Sequence, residues 1–358
     1  MPKKDRTAAF AVESAATANS NSMAAGTLLH LSCTGNKCLF ATARYCKPQL
    51  QVSQYRQIRN LRRLKLPFLK SEIPVSNVKI GIGPSKLWMH LGFATAFSGA
   101  SIVGAAIWEY EHIRQGTYKI LNHYNNQFRI NRTGWRGKVE KWWKTLSDGE
   151  KVFVPILFLN TVVFLAWRVP ALQKTMVRYF SANPGSSVSC WPMIFSAFSH
   201  HNIFHLAVNM YVLHNFSTLA GQFLGKEQFV ALYLSSGVIS SFAAYLYKTI
   251  YKIPFMSLGA SGAIMGILGC LLSEYPDVKL RIVFLPMFEF TAGAGLTALM
   301  LIDLTGCLLR WKYFDHAAHL GGALFGIFWQ VWGIKNIWQK RDSILAWWRE
   351  FREPPGSE

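Results

Sequence analysis

A serine flanked by glycines and a histidine 58 positions later are the residues of this sequence best suited to chemistry. Ser261 lies in GASG at 259–262, and His319 lies in DHAAHLGG at 315–322. Both segments are strongly apolar, and polar side chains are costly in hydrocarbon, so a reactive pair there is a functional-site hypothesis. A serine that shares a hydrogen bond with a histidine base can carry out acyl transfer. The pair therefore predicts hydrolysis inside a membrane.

The glycines around Ser261 predict how the nucleophile is presented. Gly259 and Gly262 permit an unusual turn and a close backbone approach. Because Pro254 lies just upstream, we expect Ser261 near the N-terminus of its helix, where free N–H groups and the helix dipole favour an oxyanion. Gly262 and Gly266 form a G-x-x-x-G motif that lets a second helix pack closely. The alternative is that Ser261 is only a small packing residue in that motif.

The surroundings of His319 favour the chemical interpretation. Gly322 and Gly326 are four positions apart, so they give this helix a smooth face beside the histidine. Two smooth faces can approach closely enough for Ser261 and His319 to share a hydrogen bond. A buried neutral histidine with a structural partner is the alternative.

A third segment supplies hydrogen-bond donors. His205 and Asn209 in HLAVN are four positions apart and share one helix face, and His200 and His201 precede them. Both side chains can present N–H groups to a tetrahedral oxyanion. Alone, this pair could equally be polar contacts between helices.

The composition indicates a polytopic membrane protein that positions these residues. Of the 358 residues, 51% are hydrophobic and 16% are charged, whereas soluble domains carry about 25% charged residues. Windows of about 20 mostly apolar residues predict membrane-spanning helices. The windows are 87–110, 152–169, 203–224, 227–247, 258–273, 293–310 and 314–333. No internal repeat is evident, which argues against a transporter.

The N-terminal region predicts a mitochondrial presequence. Residues 1–86 contain fourteen Lys or Arg and three acidic residues, and 23–71 contain no acidic residue. A basic, acid-poor, hydroxyl-bearing stretch is typical of such presequences, and a disordered basic tail is the alternative. No nucleic-acid-binding motif accompanies the charge, so we expect no nucleic-acid partner. The six cysteines include no C-x-x-C pair. We therefore expect neither a disulfide framework nor a thiolate metal site.

The predicted organisation has four parts. Residues 1–70 are the presequence, and 71–151 contain an extra span at 87–110 and a basic connector. Residues 152–334 form the core, and 335–358 form an interfacial tail. The Trp-bearing connector is expected on the membrane surface, or otherwise as a solvated linker.

Three motifs together resemble the rhomboid intramembrane serine proteases. They are GASGAIMG around Ser261, FDHAAHLGGALFG around His319, and FSHHNIFHLAVNMYVL around His205 and Asn209. WRVP at 167–170 and FLPMF at 284–288 also fit the mitochondrial branch of that family. The resemblance covers roughly residues 87–350.

This resemblance implies a fold and a role for each residue. The fold would be an all-α polytopic membrane protein with a six-helix rhomboid core and one extra N-terminal span. Ser261 would be the nucleophile and His319 the general base and acid. His205, Asn209 and the Ser261 N–H would form the oxyanion hole, and His200 would organise a loop. The family uses a dyad without metal or cofactor.

Two further features are expected to have no catalytic role. Asp303 and Asp315 are near His319 in sequence, but a dyad needs no aspartate, so neither is recruited. Trp167-Arg168 is similar to a loop-one motif of the family, but it directly follows a predicted span, so that role is not transferred.

The resemblance also predicts the partners. Substrates would be single-pass membrane helices in the mitochondrial inner membrane, cut where the helix unwinds in the bilayer. Two alternatives stay open. One is a catalytically inactive rhomboid-fold scaffold or chaperone. The other is a membrane metal site in which histidines cluster with Asp315; the candidate histidines are His200, His201, His205, His316 and His319.

Overall fold

The computed structural model of the chain describes residues 84–125, 134–185, 190–253, 256–282, 285–312 and 314–352. The predicted presequence at 1–70 lies outside these residues, and so does Pro254. The four-part domain division stays a prediction.

The described chain is built from α-helices and one β-hairpin, so the predicted all-α class is confirmed for the body of the protein. In chain order the elements are α1 (Pro84–Asn125), α2 (Trp135–Thr145), α3 (Asp148–Ala166), α4 (Gln173–Tyr179), α5 (Pro192–Phe195), α6 (Ile203–Tyr251), α7 (Ser261–Glu274), β1 (Lys279–Ile282), β2 (Leu285–Thr291), α8 (Ala292–Leu308), α9 (His316–Phe328), a π-helical continuation (Trp329–Trp338) and α10 (Asp342–Arg352).

Four of these helices are long and apolar enough to cross a bilayer. They are Lys86–Tyr118 within α1, α3, α6, and the run His316–Trp338 formed by α9 and its continuation. Helix α6 contains 49 residues, and Gly225 with a φ of 74° interrupts its helical geometry. The predicted windows 203–224 and 227–247 fall on its two halves. Helices α7 and α8 are shorter and apolar, and the count of one plus six spans stays a prediction.

Side-chain caps explain where several helices begin. Helix α3 starts with a capping box in which Ser147 and Glu150 bond reciprocally to each other's backbone N–H. Asn202 caps the N-terminus of helix α6, and its side chain accepts from Phe204 N–H at 2.7 Å. Asp315 caps α9 by accepting from Ala318 N–H at 3.3 Å. Each cap satisfies a donor that the first helical turn would leave without a partner.

Helix α7 lies in the interior of the helical bundle. Eleven of its fourteen residues are buried, and α6, α8 and α9 pack against it. Outward-facing apolar side chains on other helices are exposed, as expected for a lipid-facing surface: Phe158 on α3 is 66% exposed and Phe204 on α6 is 77% exposed. The bundle therefore buries α7 and leaves apolar surface for the membrane.

Two details differ from the expectation. Helix α1 continues to Asn125, beyond the predicted end at 110, and it contacts α10 and the residue that precedes α10. Arg341 bonds Glu109 at 2.6 Å, and Trp348 donates to Glu111 at 3.0 Å. The antiparallel hairpin β1–β2 lies between α7 and α8, where no strand was expected from the sequence. An Arg281–Glu289 ion pair crosses this hairpin.

Candidate active site

Ser261 is the first residue of α7, as the sequence predicted. The first N–H groups of a helix have no partner within it, so they are available to an anion. Gly259 has a φ of 134°, and a Cβ there would lie 2.7 Å from Cε1 of His205. Only glycine fits both that backbone conformation and that space. The turn before Ser261 therefore depends on Gly259.

The glycine faces of α7 and α9 pack directly together, which confirms the predicted close approach. A Cβ at Gly322 would lie 3.0 Å from the carbonyl carbon of Gly262, and one at Gly326 would lie 2.8 Å from that of Gly266. Gly262 also faces α6, because its Cβ would lie 2.6 Å from Cβ of Ser240. Side chains larger than hydrogen would force these backbones apart.

This close packing brings Ser261 and His319 into contact. Ser261 Oγ lies 2.8 Å from Nε2 of His319, which is hydrogen-bond distance for a nucleophile and a base. The His319 side chain is 17% exposed, so the pair is shielded yet reachable. The two groups come from different helices and are 58 positions apart in the chain.

Asp303 on α8 contacts the other side of the histidine. Its Oδ1 lies 3.1 Å from Nδ1 of His319 and 2.7 Å from Nδ1 of His316, and Asp303 is 5% exposed. Because an ionised carboxylate only accepts, each ring donates from Nδ1. Nε2 of His319 is then the acceptor that faces Ser261.

Asp303 received no role from the sequence, and the structure places its carboxylate against His319. The signal was present: an acidic residue inside the apolar window 293–310 is costly and predicts an internal partner.

Asp315 belongs to a different cluster, with Lys248 and Ser257. Lys248 Nζ lies 2.6 Å from Oδ2 of Asp315, and Ser257 bonds to both. Burial alone would raise the pKa of Asp315, but the Lys248 ammonium and these hydrogen bonds hold it below its usual range. Ser257 lies four positions before Ser261, and Asp315 lies four positions before His319. The Lys248–Ser257–Asp315 cluster therefore joins the segment that carries Ser261 to the segment that carries His319.

His200 supports the turn at Ser261. The residue is fully buried, and its Nε2 accepts from Ala260 N–H at 3.3 Å. Burial, with a smaller contribution from His205, lowers the pKa of His200 to about 3. The ring is therefore neutral at physiological pH and acts as an acceptor.

The two predicted oxyanion donors lie on α6 near this turn. The His205 ring lies 4.9 Å from that of His200, centroid to centroid, and it borders Gly259. Asn209 is buried, and its Nδ2 donates to the backbone carbonyl of His205 at 2.8 Å. This bond uses one of the two amide N–H groups of Asn209.

Trp167 and Arg168 join the end of α3 to the segment before α6. Trp167 Nε1 donates to Ser199 Oγ at 2.7 Å, and Arg168 Nη2 donates to the carbonyl of His201 at 2.7 Å. Ser199 and His201 flank His200. This pair received no role from the sequence, and in the structure its two hydrogen bonds hold the residues on either side of His200.

The candidate metal ligands fall into separate groups. Asp303, His316 and His319 place their ligand atoms within 4.8 Å of one another. Asp315, the carboxylate proposed from sequence for a metal site, instead binds Lys248. Of the other histidines considered in the sequence, the ring of His200 contacts that of His205, and the ring of His201 contacts Trp167.

Comparisons with known proteins agree with this architecture. A Rhomboid domain model matches residues 187–336. The chain is 46% identical over 267 residues to "Presenilin-associated rhomboid-like protein, mitochondrial" of Homo sapiens, covering 73% of this chain and 70% of that protein. It is 33% identical over 194 residues to "Rhomboid protein 1, mitochondrial" of Saccharomyces cerevisiae, covering 53% and 55%. "Rhomboid protease GluP" of Bacillus subtilis is 32% identical over 138 residues, covering 38% and 25%.

Proposed function

The chain belongs to the rhomboid family, and on that premise we propose that it is an intramembrane serine endopeptidase that cleaves single-pass transmembrane helices. The observation that carries the proposal is the 2.8 Å contact between Ser261 Oγ and His319 Nε2. The contact of Nδ1 with Asp303 on the opposite side of the ring supports it.

The reaction follows from which atom holds each proton. Nε2 of His319 accepts the proton of Ser261 as Oγ attacks the scissile carbonyl, and it then gives that proton to the leaving amine. Water repeats the step on the acyl-enzyme and releases the second product. Asp303 keeps the ring in the tautomer that accepts at Nε2 and stabilises the imidazolium that forms.

Donors near Ser261 would stabilise the oxyanion. The backbone N–H of Ser261 at the start of α7 is the first, and His205 and Asn209 are the proposed side-chain donors. Asn209 keeps one amide N–H for this role, since the other bonds the carbonyl of His205. His200, through Ala260, holds the turn that aims these groups.

The substrate class follows from the backbone rule in membranes. A stable transmembrane helix satisfies its own carbonyls, so only a segment that unwinds offers one for attack. We therefore propose single-pass helices with a helix-weakening segment as substrates. The chain is a mitochondrial multi-pass membrane protein, and we place it in the inner membrane.

The test is cleavage of a single-span reporter by detergent-purified full-length protein. Ser261→Ala and His319→Ala should each abolish cleavage, and Ser273→Ala should not, since Ser273 lies at the far end of the same helix α7. A fluorophosphonate probe should label the wild type and fail to label Ser261→Ala. A metal chelator should not lower cleavage.

The results separate the protease from the inactive rhomboid-fold scaffold. Reporter cleavage that survives in Ser261→Ala would refute Ser261 as the nucleophile. A folded wild type that neither cleaves nor reacts with the probe would favour the scaffold.

A further inference from the structure

We propose that Asp303, His316 and His319 form a binding site for a divalent transition-metal ion, typified by zinc, and that the bound ion inhibits the enzyme. The inhibitory part of this inference rests on the proposed protease function. The binding part rests on geometry alone.

The donor atoms match a zinc site in type and spacing. Zinc is held by imidazole nitrogen and carboxylate oxygen at about 2.0–2.2 Å in a tetrahedron, which places ligand atoms about 3.3 Å apart. Asp303 Oδ1 lies 2.7 Å from Nδ1 of His316 and 3.1 Å from Nδ1 of His319. Each of the three residues offers one ligand atom within 4.8 Å of those of the other two. Shifts of a few tenths of an ångström along the two Asp303 contacts, together with an approach of the two histidine nitrogens to each other, would admit the ion, with water as the fourth ligand.

Electrostatics favours a cation at this point. Asp303 is 5% exposed, on an apolar helix. Within the described ranges, its ion-pair partners are the two histidines, with neither Lys nor Arg. Asp315, by contrast, binds the Lys248 ammonium directly. A buried carboxylate without a fixed cation is costly, and a bound dication would offset that cost.

The ring of His316 is fixed by packing, and His316 takes no part in the proposed reaction. It is 5% exposed, and its ring packs against Gly306 of α8, where a Cβ would collide with it. The rings of Trp311 and Phe314 lie 5.7 and 6.0 Å from it. A ligand held by packing loses little freedom on binding a metal.

Inhibition follows from the tautomer of His319. A metal at Nδ1 needs the lone pair of that nitrogen, so the proton of the neutral ring must stand on Nε2. Nε2 then becomes a donor and cannot accept the proton of Ser261. The same ion takes Asp303 away from its orienting contact. Metal binding and general-base catalysis therefore exclude each other.

Binding is measured first, without any need for activity. Purified full-length Ser261→Ala protein is titrated with zinc by calorimetry, and with cobalt by visible absorption. We expect one site, weakened at least about 10-fold by adding His316→Asn, since Asn can still donate to Asp303 but removes the imidazole ligand. His214→Asn, at an exposed histidine of α6, is the matched control and should not weaken binding.

Inhibition is measured second, as the zinc concentration that halves reporter cleavage relative to each variant's own metal-free rate. His316→Asn should raise that concentration at least about 10-fold, and a chelator should restore the wild-type rate. Absence of binding to Ser261→Ala, or binding unaffected by His316→Asn, would overturn the site. Binding without inhibition of an active wild type would overturn the tautomer argument. An inactive wild type that still binds zinc through His316 would count against the protease alone.

Discussion

Replacement of Gly322 by alanine should separate Ser261 from His319 without touching either residue. A Cβ at Gly322 would lie 3.0 Å from the carbonyl carbon of Gly262 and closer still to its oxygen, whereas ordinary contact begins at 3.4 Å. Because both obstacles are backbone atoms, no side-chain rotation can relieve them. The backbones of α7 and α9 must move apart.

The magnitude follows from where the contact lies. Gly262 directly follows Ser261, and Gly322 is three residues after His319. Separation of the two backbones at this contact therefore lengthens the 2.8 Å hydrogen bond between Ser261 Oγ and His319 Nε2. An opening of about 1 Å would break that bond, and a misplacement of this size costs about 100-fold in rate. We therefore expect kcat/KM to fall about 100-fold, equivalent to about 2.7 kcal/mol of transition-state stabilisation. Overpacking should also cost about 1–3 kcal/mol of folding free energy.

The assay compares reporter cleavage and thermal unfolding of Gly322→Ala and Gly99→Ala. Gly99 lies in α1, where a new Cβ would meet nothing within 4 Å, so the same chemical change should leave kcat/KM and Tm near wild type. A folded Gly322→Ala protein with wild-type kcat/KM would refute the claim that this contact sets the Ser261–His319 distance.

Three further predictions concern the charged groups around the site. Asp303→Asn should lower kcat about 10²–10⁴-fold with little change in KM, because His319 loses the acceptor that selects its tautomer. Lys248→Met should lower the free energy of unfolding by about 3 kcal/mol, since it leaves the Asp315 carboxylate without its cation. Stability should fall as pH drops from about 6.5 towards 3, because His200 stays neutral when folded, with a pKa of about 3, and takes up a proton when unfolded.

Each of these has its own control. Asp277→Asn, at an exposed acidic residue before β1, should leave kcat unchanged, and equal losses in both variants would contradict the role of Asp303. The double variant Lys248→Met/Asp315→Asn should recover part of the lost stability, and strict additivity would show that the pair is not coupled. In thermal unfolding between pH 7 and 5, His200→Asn should show a smaller loss of Tm than wild type; an identical slope would assign the pH dependence to other groups.

Much of this protein could be predicted from patterns that lie within single segments. Apolar windows predicted most of the long helices, and Pro254 upstream predicted that Ser261 lies near the N-terminus of its helix. The four-residue spacing of Gly262–Gly266 and of Gly322–Gly326 predicted smooth faces, which the structure brings together. These predictions succeed because a helix repeats every 3.6 residues, so spacing alone decides which side chains share a face.

Contacts between different segments could not be predicted from spacing within one helix. Asp303 and Asp315 are both acidic residues near His319 in the chain, yet one contacts the histidine and the other binds Lys248. Which of them does so depends on how α8 and α6 pack around α9, and spacing within one helix carries no record of that packing. The sequence by itself thus determined the two candidate reactive residues and the helix faces that carry them. Only the tertiary structure decided that Asp303 contacts His319, that His200 supports the turn before Ser261 and that Lys248 binds Asp315. Each of these contacts joins segments that are distant in the sequence.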